Sequence, residues 1–342
     1  MSEALEVVGP FSEISGIVRE AVAANIPNDL RWQVILLTLG IATIIWFLRD
    51  GQGSKDASGR ERKAGYLAFL FPKDIYTHQS ARVDVWLWVL ERCFHPFWYA
   101  GLLATVSPWM ESLTIDSLTF MAGGFQGFKS GYAWMLLYSL IMLLCYDFVF
   151  YVIHFTMHKV PFLWAIHKVH HSAEVLTPLT RYREHVIAGP IWATGAAISY
   201  GFAGGLFGFL IDGDIVPATI LNVGFFTLLF GFNGSFRHYH VQFRYPRWLE
   251  RWLQSPAMHH THHSYLQKHW DTNLAAVTSI WDRMFGTLYI PEKDEYTPWG
   301  IGPETQDEYR SFRQNTTGPF RDWYMMVRSG VSPQSGAAEG GS

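Results

Sequence analysis

Apolar residues fall into five long stretches separated by polar connections. The first, Trp32–Leu48, is apolar throughout and stops at Arg49-Asp50. The others cover 85–110, 132–153, 187–211 and 215–232. Each is near the length that crosses a bilayer as a helix. The second carries Glu91, Arg92 and His95 in its first turns, so its membrane part is expected to begin near Phe94. Asp212-Gly213-Asp214 separates the last two, which read as a hairpin leaving and returning on one side. Gly and Ala are frequent in 187–211, which suits close helix packing.

The connection 49–84 carries Arg49, Lys55, Arg60, Arg62, Lys63, Lys73 and Arg82, whereas 111–131 carries only Lys129. The positive-inside rule therefore puts 49–84 in the cytoplasm and 111–131 outside. The portion 51–63 reads as a mobile loop. A short amphipathic helix is expected over 11–24, ended by Pro27, and a disordered tail from 329. Composition agrees with a membrane protein: 49% of residues are apolar and only 16% charged, against about a quarter charged in a soluble domain. The net charge of −3 gives no sign of nucleic-acid binding. The reading is an all-α integral membrane protein of four to five transmembrane helices under a His-rich cytoplasmic cap. It divides into an N-terminal region 1–131, a catalytic domain 132–328 and a tail 329–342.

Histidine spacing changes the picture from membrane protein to metal site. The third apolar stretch runs into His154 and His158, an HxxxH pair that one helix face can present together. An HxxHH follows at His167, His170 and His171, and a second at His259, His262 and His263. His238 and His240 lie close after the last apolar stretch, and His185, His260 and His269 flank the clusters. One ion takes three or four protein ligands, so this number suggests two ions. Crossing parity puts every cluster on the cytoplasmic side.

Imidazole alone does not choose among Fe, Zn, Cu and Ni. There is no HExxH, and Cys93 and Cys145 both lie in apolar segments, so neither a zinc-protease motif nor a thiolate site is present. A non-haem two-metal centre beside lipid remains, and iron with O2 would explain a redox centre placed next to an inert C–H bond. Asp147, Asp271, Asn273 and Asp282 are candidates to receive a ring N–H from a ligand histidine and fix its tautomer. Two rival classes stand beside the oxygenase. A zinc hydrolase would need a water-activating carboxylate, for which Glu174 or Glu184 could serve. A metal transporter or sensor should carry its ligands within the spans, whereas these histidines begin where the spans end.

At these residues the chain resembles the fatty acid hydroxylase superfamily, which includes the sterol desaturases. The likeness runs from about 147 to 289. It covers DFVFYVIHFTMH, LWAIHKVHHSAEVLTPLTRYREH, FRHYH, SPAMHHTHHS and DTNLAAVTSIWDRMFGTLY in order. It implies a membrane-embedded di-iron enzyme that uses O2 to hydroxylate or desaturate a lipid: a sterol, fatty acyl chain, sphingoid base or alkylglycerol. Zinc could replace iron in purified protein. Electrons would come from a separate ferredoxin, flavoprotein or cytochrome-type donor. The location would be a bacterial inner membrane or the endoplasmic reticulum. By position, the family's ligands fall on His154, His158, His167, His170, His171, His238, His259, His262 and His263, with His240 where relatives often carry Asn. The chain departs from the family's Arg-x-His-Pro-x-Glu at Arg183-Glu184-His185-Val186-Ile187.

Overall fold

The computed structural model describes residues 32–52, 54–58, 60–125, 127–220, 223–224, 232–293 and 295–329. The expected helix over 11–24 and the tail beyond 329 lie outside the described residues.

Helix α1 is Trp32–Leu48. Apolar side chains on it turn outward, with Phe47 70% and Leu48 81% exposed. Helix α2, Gln79–Ala122, is 44 residues long. It runs through Pro96 and Pro108 and stops at Gly123, whose φ of 75° other residues rarely adopt. The segment 111–122, expected as part of a connection, is therefore helical. Its Thr114 hydroxyl is bonded to its own helix, at the Met110 carbonyl, and its backbone packs on a later helix.

Helix α3, Tyr132–Lys159, continues past the apolar stretch so that both His154 and His158 lie on it. Val160-Pro161 breaks the chain, because proline cannot donate the next helical hydrogen bond but suits a first turn. Helix α4, Pro161–His171, starts there. Helix α5, Ala188–Leu210, follows. A Cβ on Gly201 would meet the Ser107 carbonyl oxygen at 2.3 Å, and one on Gly205 the Glu111 carbonyl at 2.6 Å. Glycine at both sites lets α2 and α5 approach backbone to backbone.

Among the described residues, α3 and α5 are long and apolar enough to cross a membrane, and α1 has a shorter apolar core. Half of the expected span 215–232 lies outside the described residues. Within its described part, Thr219–Ile220 pairs with Val223–Gly224.

The connection 49–84 is also more ordered than its Gly- and Ser-rich composition suggests. Ser54–Lys55 pairs with Glu61–Arg62, and Ser54 bridges to Val241. The Lys55 amide donates to the His240 carbonyl at 3.2 Å. Short helices Tyr66–Leu70 and Lys73–Tyr76 follow. Phe69 and Leu70 join Phe236, Tyr239 and Val241 in one apolar cluster, which ties this connection to the cap.

The cap adds α6, Phe232–Arg237, α7, Pro256–His262, and α8, Phe312–Ser329. A buried polar network fixes α4 among its neighbours. Arg183 pairs with Asp84 of α2 at 2.8 Å and donates to the Val169 carbonyl at 3.0 Å. Ser172, at the end of α4, donates to Asn315 of α8 at 2.9 Å.

Candidate metal centre

The helix break at Val160-Pro161 turns α4 back along α3, and α7 and the turn after α6 close the other sides. Nine histidines meet there and sort into two groups. His154, His158, His167, His171 and His262 form the first, and His170, His238, His259 and His263 the second. Within each group the donor nitrogens lie within 4.8 Å of one another, and all nine rings are buried. Each HxxHH motif is thereby divided. His167 and His171 serve one group and His170 the other, while His262 serves the first and His259 and His263 the second.

The nitrogens converge. His154 Nε2 is 2.9 Å from His167 Nε2 in the first group. In the second, His259 Nε2 is 2.9 Å from His238 Nε2 and 3.0 Å from His263 Nε2, and His170 Nε2 is 3.3 Å from His238 Nε2. Nitrogens bound at roughly 2.1 Å to one ion stand about 3.0 Å apart when cis in an octahedron and about 3.4 Å apart in a tetrahedron. The Nε2 atoms of His158, His171 and His262 are buried without a protein hydrogen-bond partner. Burial, followed by repulsion among neighbouring imidazoles, holds His171, His262 and His263 well below the ordinary imidazole range. Neutral rings with lone pairs aimed at a shared point are the state a metal requires. Both groups are able to hold a metal ion.

The outer edges of three rings, all in the first group, are held by a single loop. His154 Nδ1 donates to the Leu274 carbonyl at 2.6 Å, and His262 Nδ1 to the Thr272 carbonyl at 2.8 Å. His158 Nδ1 lies 3.3 Å from Asp271, which also pairs with Lys159 at 2.5 Å. Among the four residues expected to hold a ring, only Asp271 touches one. Asp147 accepts from the amides of Ala276, Val277 and Thr278 at 2.8–3.0 Å. Asp282 accepts from the amides of Leu274 and Ala275. Asn273, at a left-handed φ of 55°, donates to the carbonyls of Met258 and Tyr289. These three residues hold the 272–278 loop, and the loop holds the rings. Asp147 does lie two turns before His154, but the loop comes between carboxylate and imidazole.

His240 joins neither group. Its Nε2 is bonded to the Phe69 carbonyl at 2.7 Å, and its backbone carries the Lys55 hydrogen bond, so it fastens the 49–84 connection. His185 bonds the Thr316 carbonyl of α8 at 3.1 Å, and His269 bonds Glu295 at 3.0 Å. His260 is buried against Trp299, outside both groups.

Two residues near the rings were not legible as supports. Arg237 donates to His259 Nδ1 and to the Ala276 carbonyl, both at 2.8 Å. Glu184 places Oε1 3.8 Å from His167 Nδ1 and 3.7 Å from His170 Nδ1, so one carboxylate faces a ring of each group. The only sequence hint of Arg237 is its adjacency to His238. Glu184 was marked only as a possible water-activating carboxylate, with no spacing that ties it to either histidine triplet.

A cavity of about 200 Å³ opens beside the rings. His154 and His167 of the first group and His170, His238 and His259 of the second line it, together with Phe94, Trp98, Phe150 and Trp192. Apolar helices, two buried all-histidine groups able to hold metal and an aromatic cavity reaching both thus come together in one chain. Residues 139–287 match the fatty acid hydroxylase family. Alkylglycerol monooxygenase of Danio rerio is 30% identical over 162 residues, 44% of this chain and 30% of that protein. The Xenopus tropicalis alkylglycerol monooxygenase is 28% identical over 163 residues, covering the same shares. Ornithine lipid hydroxylase OlsE of Rhizobium tropici is 27% identical over 169 residues, 49% of this chain and 47% of that protein. The chain thus spans less than half the length of these relatives. No solved structure matches it.

Proposed function

We propose that this chain is a membrane-embedded, O2-dependent lipid hydroxylase whose nine converging histidines hold two iron ions. The observation that carries the reading is one cavity bordered by both all-histidine groups and by apolar aromatic walls. Bound iron would supply O2 activation and the means to break an unactivated C–H bond. Overall, a C–H bond, O2, two electrons and two protons become a C–OH group and water. The electrons come from a separate donor protein of ferredoxin, flavoprotein or cytochrome type.

The residues of the chain bind, orient and exclude. Phe94, Trp98, Phe150 and Trp192 receive the apolar part of the lipid and keep water from the rings. The Leu274 and Thr272 carbonyls hold His154 and His262 with Nδ1 protonated, which leaves Nε2 free to ligate. Hydroxylation is favoured over desaturation by the relatives, which are named as a monooxygenase and a hydroxylase. The pairing of Ser54 with Val241 puts the basic connection and the histidine cap on one side, which supports a cytoplasmic site.

The hydrolase reading finds less support. Glu184 faces the Nδ1 edges of His167 and His170, away from the converging Nε2 atoms, so it orients rings and is not poised over bound water. Glu174 is not among the residues lining the cavity.

The test compares lipids from cells expressing the wild type and His170→Ala, with and without O2. A lipid gaining one oxygen atom is expected only with the wild type in O2. Full turnover by His170→Ala would overturn the proposal.

A further inference from the structure

The cavity that borders the histidines is not wholly apolar. Arg92, Tyr182 and Arg181 also line it, with Glu91 and Glu184. The Arg92 guanidinium carbon lies 5.5 Å from the centre of the Tyr182 ring, and that of Arg181 lies 5.8 Å from the same ring. Two guanidinium groups are thus gathered about one aromatic spacer, an arrangement that stacking and cation–π attraction favour.

The Arg181 guanidinium lies directly over Gly234. A Cβ there would stand 1.9 Å from its Nη1, so any other residue would push this guanidinium aside. The Gly234 carbonyl also faces His238 Nδ1 at 3.4 Å, so the residue that admits Arg181 also contacts a ring of the second histidine group. Three arginines line the cavity, counting Arg237, against two glutamates. Glu91 is paired with the adjacent Arg92, and Glu184 sits against His167 and His170.

A guanidinium fork matches phosphate and carboxylate, and neither sterol rings nor alkyl chains offer it a partner. We propose that Arg181 and Arg92, spaced by Tyr182, form the subsite for the anionic headgroup of the lipid substrate, a phosphate or a carboxylate. This rests on the lipid-oxidising reading of the same cavity. A lipid so held presents the carbons next to its headgroup to the imidazoles, not the far end of its chain.

The test is equilibrium binding to the purified full-length protein in a non-ionic detergent. The probes are dioctanoyl phosphatidic acid, free decanoate and uncharged dioctanoylglycerol. At least one anionic probe is expected to bind about tenfold or more tighter than dioctanoylglycerol, the size of one charge-assisted hydrogen bond. That preference should shrink as salt rises. Arg181→Gln and Arg92→Gln should each remove most of it. Arg181→Lys and Arg92→Lys should keep part of it, which separates lost recognition from lost folding. Phosphatidic acid ahead of decanoate would identify a phosphate headgroup, and the reverse a carboxylate. Equal binding of charged and uncharged probes, or a preference that survives both glutamine variants, overturns the subsite. Metal content and O2-dependent lipid change would then still stand for the oxidising reading. A headgroup preference without any O2-dependent lipid change would leave the subsite in place and remove that reading.

Discussion

Single residues at the centre divide into those whose role spacing reveals and those whose role depends on the loop around them. His154 and His158 are one turn apart on a helix, and a reader of the sequence can see that they share a face. Asp271 could be singled out as an acid, but its contact with His158 comes from a left-handed backbone at φ 56° that no spacing announces. Asp271→Asn keeps the size and removes the charge. It is expected to weaken metal retention by roughly 10- to 100-fold, measured by chelator competition.

Lys55 is a second residue whose state follows from its surroundings. It is buried, donates to Thr297 and lies 5.6 Å from the Trp299 ring. Burial lowers its pKa from 10.5 to about 8, against the opposing pull of Glu61 and Glu295. An unfolded chain keeps this lysine charged up to about pH 10.4, whereas the folded protein releases the proton from about pH 8. The unfolded state binds more protons across that window, so this group's contribution to stability rises with pH there, and its full cost is present below the window. Lys55→Met should therefore flatten that rise, seen as thermal midpoints of the full-length protein at about pH 7.5 and about pH 9.5. An unchanged difference between the two midpoints would show that Lys55 does not carry it.

At the scale of elements, the apolar stretches located helices but misjudged where some of them end. The apolar stretch of helix α2 was expected to stop near 110, with 111–131 as a connection. The helix continues to Ala122 because α5 offers Gly201 and Gly205 for its backbone to pack on, a tertiary contact invisible in a window of α2 alone. The 51–63 segment looked mobile by composition, yet pairing with Val241 and the His240 carbonyl orders it. The orientation of α4 depends on Arg183, whose charge is buried with Asp84 beside Ser172 and Asn315. Arg183→Ala leaves Asp84 as an uncompensated buried charge and should destabilise the protein by about 3–5 kcal/mol, read by denaturant unfolding. Because α4 carries His167, His170 and His171, metal should be lost in the same transition. Retention of all metal after the α4 contacts are lost would show that the rings are held from elsewhere.

For the whole molecule, the histidine motifs were legible and their partition was not. The sequence shows two HxxHH triplets as two apparent units. In the folded chain α4 and α7 face each other, so each triplet gives rings to both groups, and His238 completes the second. That division depends on how the elements pack. So does the exclusion of His240, which lies two positions from His238 but bonds the Phe69 carbonyl. The same packing gathers Arg92 and Arg181, 89 positions apart in the chain, into the cavity that borders both groups.

The most direct measurement is iron and zinc per full-length chain, purified anaerobically and reconstituted with iron, for the wild type, His171→Ala and His259→Ala. His171 belongs to the first group and His259 to the second. About two ions per chain are expected in the wild type, and about one in each variant, if each group holds one ion with its own set of imidazoles. A wild type that retains one ion or none, or variants that keep both, would contradict two separate histidine-held metal sites.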